Sequence, residues 1–278
     1  MCRKAQVPTS VVFDKSKPSG VLSQKLFQDD LQELMKILNE INKKYRFDTI
    51  LSDEFSSSKR DITNLHFGRP LKETNCFRGY PTLSCINQFH YTDCSYILHM
   101  DSDMLFHEAT DFSWVRQGMK IMEENDDILC VLPQGGPPTS DGSLNQGNTE
   151  YRVDEKRGLY LFKNFTSRHY LIHRERFLGM LPLQPLWLSW REPIKSRLFG
   201  NGKMLCWESM VEDALKNSNM WRADLMSAQA WSLHPGDRSE EFYQLLPKII
   251  GSVNRNEFPE EQRGHFDLHM NDWIKFLN

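Results

Sequence analysis

The strongest constraint in this chain is a series of short apolar runs, each closed by a carboxylate or a turn and separated from the next by helix-forming sequence. SVVFD (10–14) reads as a buried strand ending at Asp14, and KPSG after it as a turn. From Leu22 to Tyr45, residues Leu22, Leu26, Leu31, Leu34, Leu38 and Ile41 recur at helical spacing and mark an amphipathic helix. FDTILSDEF (47–55) reads as a second strand bearing Asp53, and the polar, charged stretch 56–78 as a loop with at most short pieces of structure. YPTLSCINQFHYTD (80–93) predicts a helix opened by a proline, and YILHM (96–100) a third strand. This alternation predicts an α/β domain with a mainly parallel central sheet flanked by helices.

The second half continues with a helix over 112–125, a strand over 127–133 and a Gly/Pro/Asn-rich loop over 134–148. Strand-like segments follow around 158–173, then a short helix from RERFLGML and an irregular aromatic-rich stretch, 183–207. ESMVEDALKNS (208–218) reads as a helix, and WRADLMSAQAWSLHPGD as a strand segment ending at His234. A helical tail closes the chain, with helices near 239–254 and 266–277.

The 278 residues suit a single domain, and 39% hydrophobic with 26% charged residues allows a sizeable core. A net charge of −3 gives no basic surplus for general nucleic-acid binding. No run of 18 apolar residues is present, so no transmembrane segment is expected. The N-terminus lacks the apolar centre of a secretory signal. Six cysteines (Cys2, Cys76, Cys85, Cys94, Cys130, Cys206) without a C-x-x-C pair point to free thiols rather than a zinc site. Together these features lead us to expect a cytoplasmic chain.

The chemistry concentrates in YILHMDSDMLFHE (96–108). In extended backbone, residues i and i+2 point to the same side, so Asp101 and Asp103 can face one point while Ser102 turns away. Two adjacent carboxylates repel unless a cation sits between them. Hard oxygen ligands favour Mn2+ or Mg2+, ions that commonly carry substrate phosphates. The plainer reading is a pair of solvated loop aspartates. Haloacid-dehalogenase-type phosphatases also use a D-x-D, but on their first strand and followed two residues later by Thr or Val. Here Leu105 holds that position, a hundred residues into the chain.

The order SVVFD, helix, FDTILSD, a loop with Arg78-Gly79, helix, YILHMDSD resembles the nucleotide-binding half of a family-2-like GT-A glycosyltransferase. CWESMVEDALKNSNMWRADLMSAQAWSLHP and the preceding TSRHYLIHRERF resemble its acceptor half. The resemblance covers roughly 10–235. It implies a Rossmann-like fold with a nucleotide-sugar-binding half over 1–110, an acceptor and catalytic half over 111–238, and a C-terminal helical tail over 239–278. Family-2 domains begin with one further strand and helix, and SVVFD matches their second strand. The resemblance therefore implies a shortened N-terminus.

The resemblance also implies roles. Asp101 and Asp103 would hold Mn2+ or Mg2+ against the donor diphosphate, with His234 completing the shell. Asp14 and Asp53 would meet the base or ribose, although strand-end solvation explains them equally well. Arg78, Arg168 and above all Arg238 would bind phosphates. Glu208, at a helix start where the dipole favours a carboxylate, would be the base of an inverting transfer, with Asp213 as the alternative. Trp187 and Trp190 would line the acceptor site, and 134–148 would act as a lid or remain a plain surface loop. The function implied is metal-dependent transfer from a nucleotide-sugar donor to a carbohydrate, lipid or protein acceptor. A catalytically silent module of the same fold, binding a sugar or a partner protein, is the competing expectation, and a phosphatase a more distant one.

Overall fold

The computed structural model describes residues 10–14, 30–45, 49–53, 59–146 and 149–278. The elements in chain order are β1 (Ser10–Asp14), α1 (Asp30–Tyr45), β2 (Thr49–Asp53), α2 (Lys59–Phe67), α3 (Thr82–Asn87), β3 (Tyr96–Met100), β4 (Leu105–Glu108), α4 (Trp114–Glu124) and β5 (Ile128–Leu132). They continue with β6 (Gln134–Gly135), β7 (Tyr151–Asp154), β8 (Leu159–Phe162), β9 (His169–His173), α5 (Arg174–Gly179), α6 (Glu192–Phe199), α7 (Trp207–Lys216), β10 (Trp221–Leu225), β11 (Ala230–Leu233), α8 (Glu240–Asn254) and α9 (Met270–Leu277).

The architecture is mixed α/β, but its main sheet is not mainly parallel. Six strands run in the order β3-β9-β5-β10-β8-β7. Only β5 and β10 are parallel neighbours, while β3–β9, β9–β5, β10–β8 and β8–β7 are antiparallel. Strand–helix alternation gives a parallel sheet only where each strand follows a crossover, and most neighbours here do not. Instead β9 inserts between β3 and β5 in the reverse direction, with Ile97 opposite Ile172 and Cys130 opposite Ile172 on its other side. After β3 the chain leaves this sheet for β4, which joins a separate three-stranded sheet, β4-β11-β6, and returns to the main sheet at β5. β1 and β2 do pair in parallel, with Asp14 aligned to Asp53, but among the described residues they form a sheet of their own.

Two helices lie where irregular chain was expected. α2 buries Ile62, Thr63, His66 and Phe67, a face whose two polar members hide its periodicity. The Thr63 hydroxyl donates to the Lys59 carbonyl at 2.7 Å, and His66 Nε2 lies 2.9 Å from His90 Nε2 while its Nδ1 is buried without a partner. α6 lies inside the aromatic-rich stretch and ends at Gly200, whose φ of 70° suits a residue without a Cβ.

β5 is buried along its whole length, as a central strand covered on both faces must be. α4 packs against it closely because position 118 is glycine, where a Cβ would stand 3.0 Å from Leu171 and 3.2 Å from Val131. Between the main sheet and α3, α5 and α7 lies an aromatic core in which Phe89 and Phe177 stack at 4.0 Å beside Trp207. Trp231, Leu233, Phe242, Ile249 and Trp273 form another cluster, which binds the C-terminal helices to the small sheet. Each large apolar side chain removed from water contributes about 1.5–3 kcal/mol. The tail is thereby part of the fold rather than an appendage.

Candidate functional site

A cleft of about 860 Å3 opens beyond the C-terminal ends of the parallel pair β5 and β10. Ligands of α/β sheets commonly sit beyond such strand ends. The cleft is bounded by the 164–169 segment, the head of α7, the end of β11 and residues 265–269 of the tail. Gly136 lets the 134–146 loop meet the tail. Its φ is +83°, and a Cβ there would fall 2.3 Å from the His265 carbonyl oxygen.

Glu208 stands in the first turn of α7 and lines the cleft. The Ser167 backbone N–H and hydroxyl donate to its Oε2 at 3.0 and 2.8 Å. The next residue, Arg168, ties in the D-x-D turn, since the Asp101 N–H donates to the Arg168 carbonyl at 2.7 Å. Two adjacent residues thus connect the expected base to the expected metal-binding turn. Arg168 itself lines the cleft, and its guanidinium has no ion pair among the described residues.

Asp101 and Asp103 follow β3 but are not cleft-lining residues. His99 Nε2 lies 3.1 Å from Asp101 Oδ1. Arg238 donates to Asp103 Oδ2 at 2.5 Å, and also to the carbonyls of Pro235 and Asp237. Asp103 Oδ1 is buried without a hydrogen-bond partner. His234 lines the cleft, but its Nδ1 faces Asp267 Oδ1 at 2.9 Å. Its backbone is fixed between Phe266 and Leu268. Among the described residues no three His, Cys, Asp or Glu side chains gather around one point as a metal cage. The residues do fit a cation of the Mg2+ type, which takes one or two carboxylates and draws its other ligands from water and phosphates. The orphaned Asp103 Oδ1 is the observation that favours that fit.

The other expected residues lie elsewhere. Arg78 is exposed, with its guanidinium 5.6 Å from the Phe77 ring, and does not line the cleft. Asp213 lies further along α7, outside the cleft lining, and beside it Glu212 pairs with Lys216 at 2.5 Å. Asp14 and Asp53 end the isolated β1–β2 pair. Trp187 packs partly buried against the aromatic core and Trp190 is 74% exposed, and neither lines the cleft. Of the 134–148 loop, Gly135, Asn145 and Gln146 line the cleft, and residues 147–148 lie outside the described residues. None of the five described cysteines is in a disulfide, and Cys2 also lies outside the described residues.

The sequence reading missed the buried polar floor. Arg222 and Asp224 on β10 form a bidentate pair at 2.8 and 2.7 Å, both almost fully buried and both lining the cleft. Arg222 also reaches Asn164 Oδ1 at 3.2 Å and sits 4.3 Å from the Phe162 ring centre. The signal was present in WRADL, where two opposite charges at i and i+2 interrupt a strand. His169 was missed as well. Burial, then nearby cationic groups led by Arg222, lower its imidazole to about 3, so it is neutral. Its Nε2 lies 3.1 Å from Ser232 Oγ, while Nδ1 is buried without a partner. Ser232 is itself fully buried and no carboxylate orients His169, so the pair lacks the makings of a nucleophilic triad.

Comparison with protein-family models, with curated proteins and with solved structures finds no match to this chain.

Proposed function

We propose that this chain transfers a sugar from a nucleotide-sugar donor to an acceptor hydroxyl, with the cleft as its reaction site. One observation carries this reading: Ser167 and Arg168 hold Glu208 and the Asp101 turn as a unit at the rim of a polar cleft. Ser167 engages one oxygen of Glu208 and fixes its rotamer. The other oxygen is the one to take the acceptor proton as the hydroxyl attacks the anomeric carbon, which makes the transfer inverting. Arg168 and Arg238 supply guanidinium groups for the diphosphate. The unpartnered Nδ1 of neutral His169 offers a hydrogen bond to a bound ligand. Asp101 and Asp103 are the residues to hold Mn2+ or Mg2+, and the chemistry such an ion supplies is neutralisation of charge on the leaving diphosphate.

The second reading, a silent binding module of related fold, is favoured by the Asp103–Arg238 pair. That contact neutralises the second aspartate with a guanidinium in place of a metal ion. The test is release of nucleoside diphosphate from a panel of nucleotide sugars with Mn2+ present. A transferase releases it, at least slowly to water, and Glu208→Gln abolishes release while keeping donor binding. Binding without release across the panel would favour the silent module.

A further inference from the structure

α6 is amphipathic in the inverted sense. Its buried residues are Glu192 and Ser196, one turn apart, while Ile194, Leu198 and Phe199 are 53%, 62% and 72% exposed. An ordinary surface helix turns its apolar stripe inward and its polar face to water. Here the inward polar face is fully satisfied. Glu192 accepts from the Lys203 N–H at 2.9 Å and from Lys195 at 2.8 Å, and the Ser196 hydroxyl donates to buried Glu73 at 2.7 Å. The outward orientation is therefore fixed by buried polar bonds. Leu188 and Trp190, just before the helix, extend the exposed face at 52% and 74%. Five of the thirteen exposed large apolar side chains among the described residues fall within 188–199, so the patch is contiguous in sequence rather than scattered.

The charges around the patch are of one sign. Glu73 and Glu192 are the only carboxylates in segments 68–75 and 186–205, and both are buried. Arg69, Lys72, Arg191 and Arg197 are exposed and form no ion pair among the described residues, and Lys203 is exposed beside the buried Glu192 carboxylate. Contacts place them on one surface: Arg69 sits 6.0 Å from the Trp187 ring, Arg191 5.1 Å from the Trp190 ring, and Lys72 donates to the Arg197 carbonyl at 3.3 Å. In a chain of net charge −3 this face is locally and strongly basic.

We propose that the 188–199 face is a membrane-surface anchor that seats Trp190, Ile194, Leu198 and Phe199 in the interface of an anionic bilayer. Exposed Trp, Phe and Leu beside Arg and Lys are the composition that lies in such an interface, apolar groups below the headgroups and cations among them. A second copy of the chain fits less well, because a two-fold contact would set the same exposed cations against one another. No helix of the described residues is long and apolar enough to cross a membrane, so the attachment is to one leaflet. The proposal does not depend on the sugar-transfer reading.

The test is co-sedimentation of the full chain with vesicles of phosphatidylcholine alone, and of phosphatidylcholine with phosphatidylglycerol, at low and raised salt. Wild type is expected to bind the anionic vesicles and to weaken with salt. Trp190→Ser with Phe199→Ser should weaken binding at least about tenfold. Arg191→Glu with Arg197→Glu should weaken it by about fivefold or more per residue. These side chains are exposed, so the variants keep the fold, which circular dichroism checks. Ile250→Ser, exposed on α8, should bind like wild type. No sedimentation with anionic vesicles, or binding that both double variants leave unchanged, overturns the proposal. So does concentration-dependent dimerisation abolished by the Trp190/Phe199 variant without any vesicle binding, which would assign the face to a second copy.

Discussion

Arg238 reaches Asp103 across 135 residues of sequence and donates to its Oδ2 at 2.5 Å. A guanidinium and a divalent cation would therefore compete for the same carboxylate. The side chains are 41% and 36% exposed, so solvent screens the pair and its worth is at most about 1 kcal/mol. Arg238→Ala should tighten Mn2+ binding to the nucleotide-free protein by up to about fivefold. It should weaken nucleoside-diphosphate binding at the same time. Calorimetric titration of each ligand checks both directions, and loss of both affinities together would show that no such competition exists.

The Ser167–Glu208 contact makes a separable prediction. Glu208→Gln should lower transfer by about 10²–10⁴-fold, the usual contribution of a general base, with donor binding intact. Ser167→Ala removes the hydroxyl donor but keeps the backbone one. It should lower kcat by about tenfold, one hydrogen bond to a charged group, and leave donor KM nearly unchanged. Steady-state kinetics distinguish this from a binding defect, which would raise KM.

Much of this arrangement was legible in the chain, for identifiable reasons. The runs SVVFD, TILSD, YILHM, ILCVL, LYLF and HYLIH form strands, whereas WRADLMSAQAWSLHPGD, expected as one strand segment, divides into β10 and β11 in different sheets. Ser113 and Ser239 cap the helices that follow them. Glu208 and His234, which the family resemblance singles out, both line the cleft. Strand direction was not legible. Nothing in HYLIH says that it enters between YILHM and ILCVL in reverse, because register is set by long-range packing. Nor was the cleft floor. Arg222 and Asp224 look like surface charges until β10 proves to be buried. α2 escaped because Thr63 and His66 occupy its buried face, and α6 because its apolar side faces outward.

The Arg222–Asp224 pair should dominate stability in the site. Asp224→Ala leaves a buried guanidinium without its partner and should cost about 3–5 kcal/mol. Replacing both residues, Arg222→Met with Asp224→Leu, should cost much less, because no buried charge is left uncompensated. Urea denaturation of the two variants measures the difference. Equal losses would mean that the ion pair itself, rather than its completeness, holds the floor together.

Two buried histidines set an acid limb. Burial first, then His90 beside His66 and Arg222 beside His169, lower the two imidazoles each to about 3. An unfolded imidazole titrates near 6.5. Between those values the unfolded chain binds protons that the folded chain does not, so stability is fully present above about pH 6.5 and is lost as pH falls. Each histidine should contribute about 1.4 kcal/mol per pH unit below about pH 6, levelling off near pH 3. His66→Phe should remove one such contribution from the slope of unfolding free energy between pH 6 and 4. An unchanged slope would mean that His66 is not held neutral by the fold.

The central claim is a donor site in which the D-x-D turn and the cleft act together. It is tested most directly by calorimetric titration of UDP, GDP and dTDP into the chain with and without Mn2+, beside Asp103→Ala. One diphosphate should bind, Mn2+ should strengthen its binding by tenfold or more, about 1.4 kcal/mol, and Asp103→Ala should remove the gain. No binding of any diphosphate by the folded protein, or binding indifferent to Mn2+ and to Asp103, would contradict it.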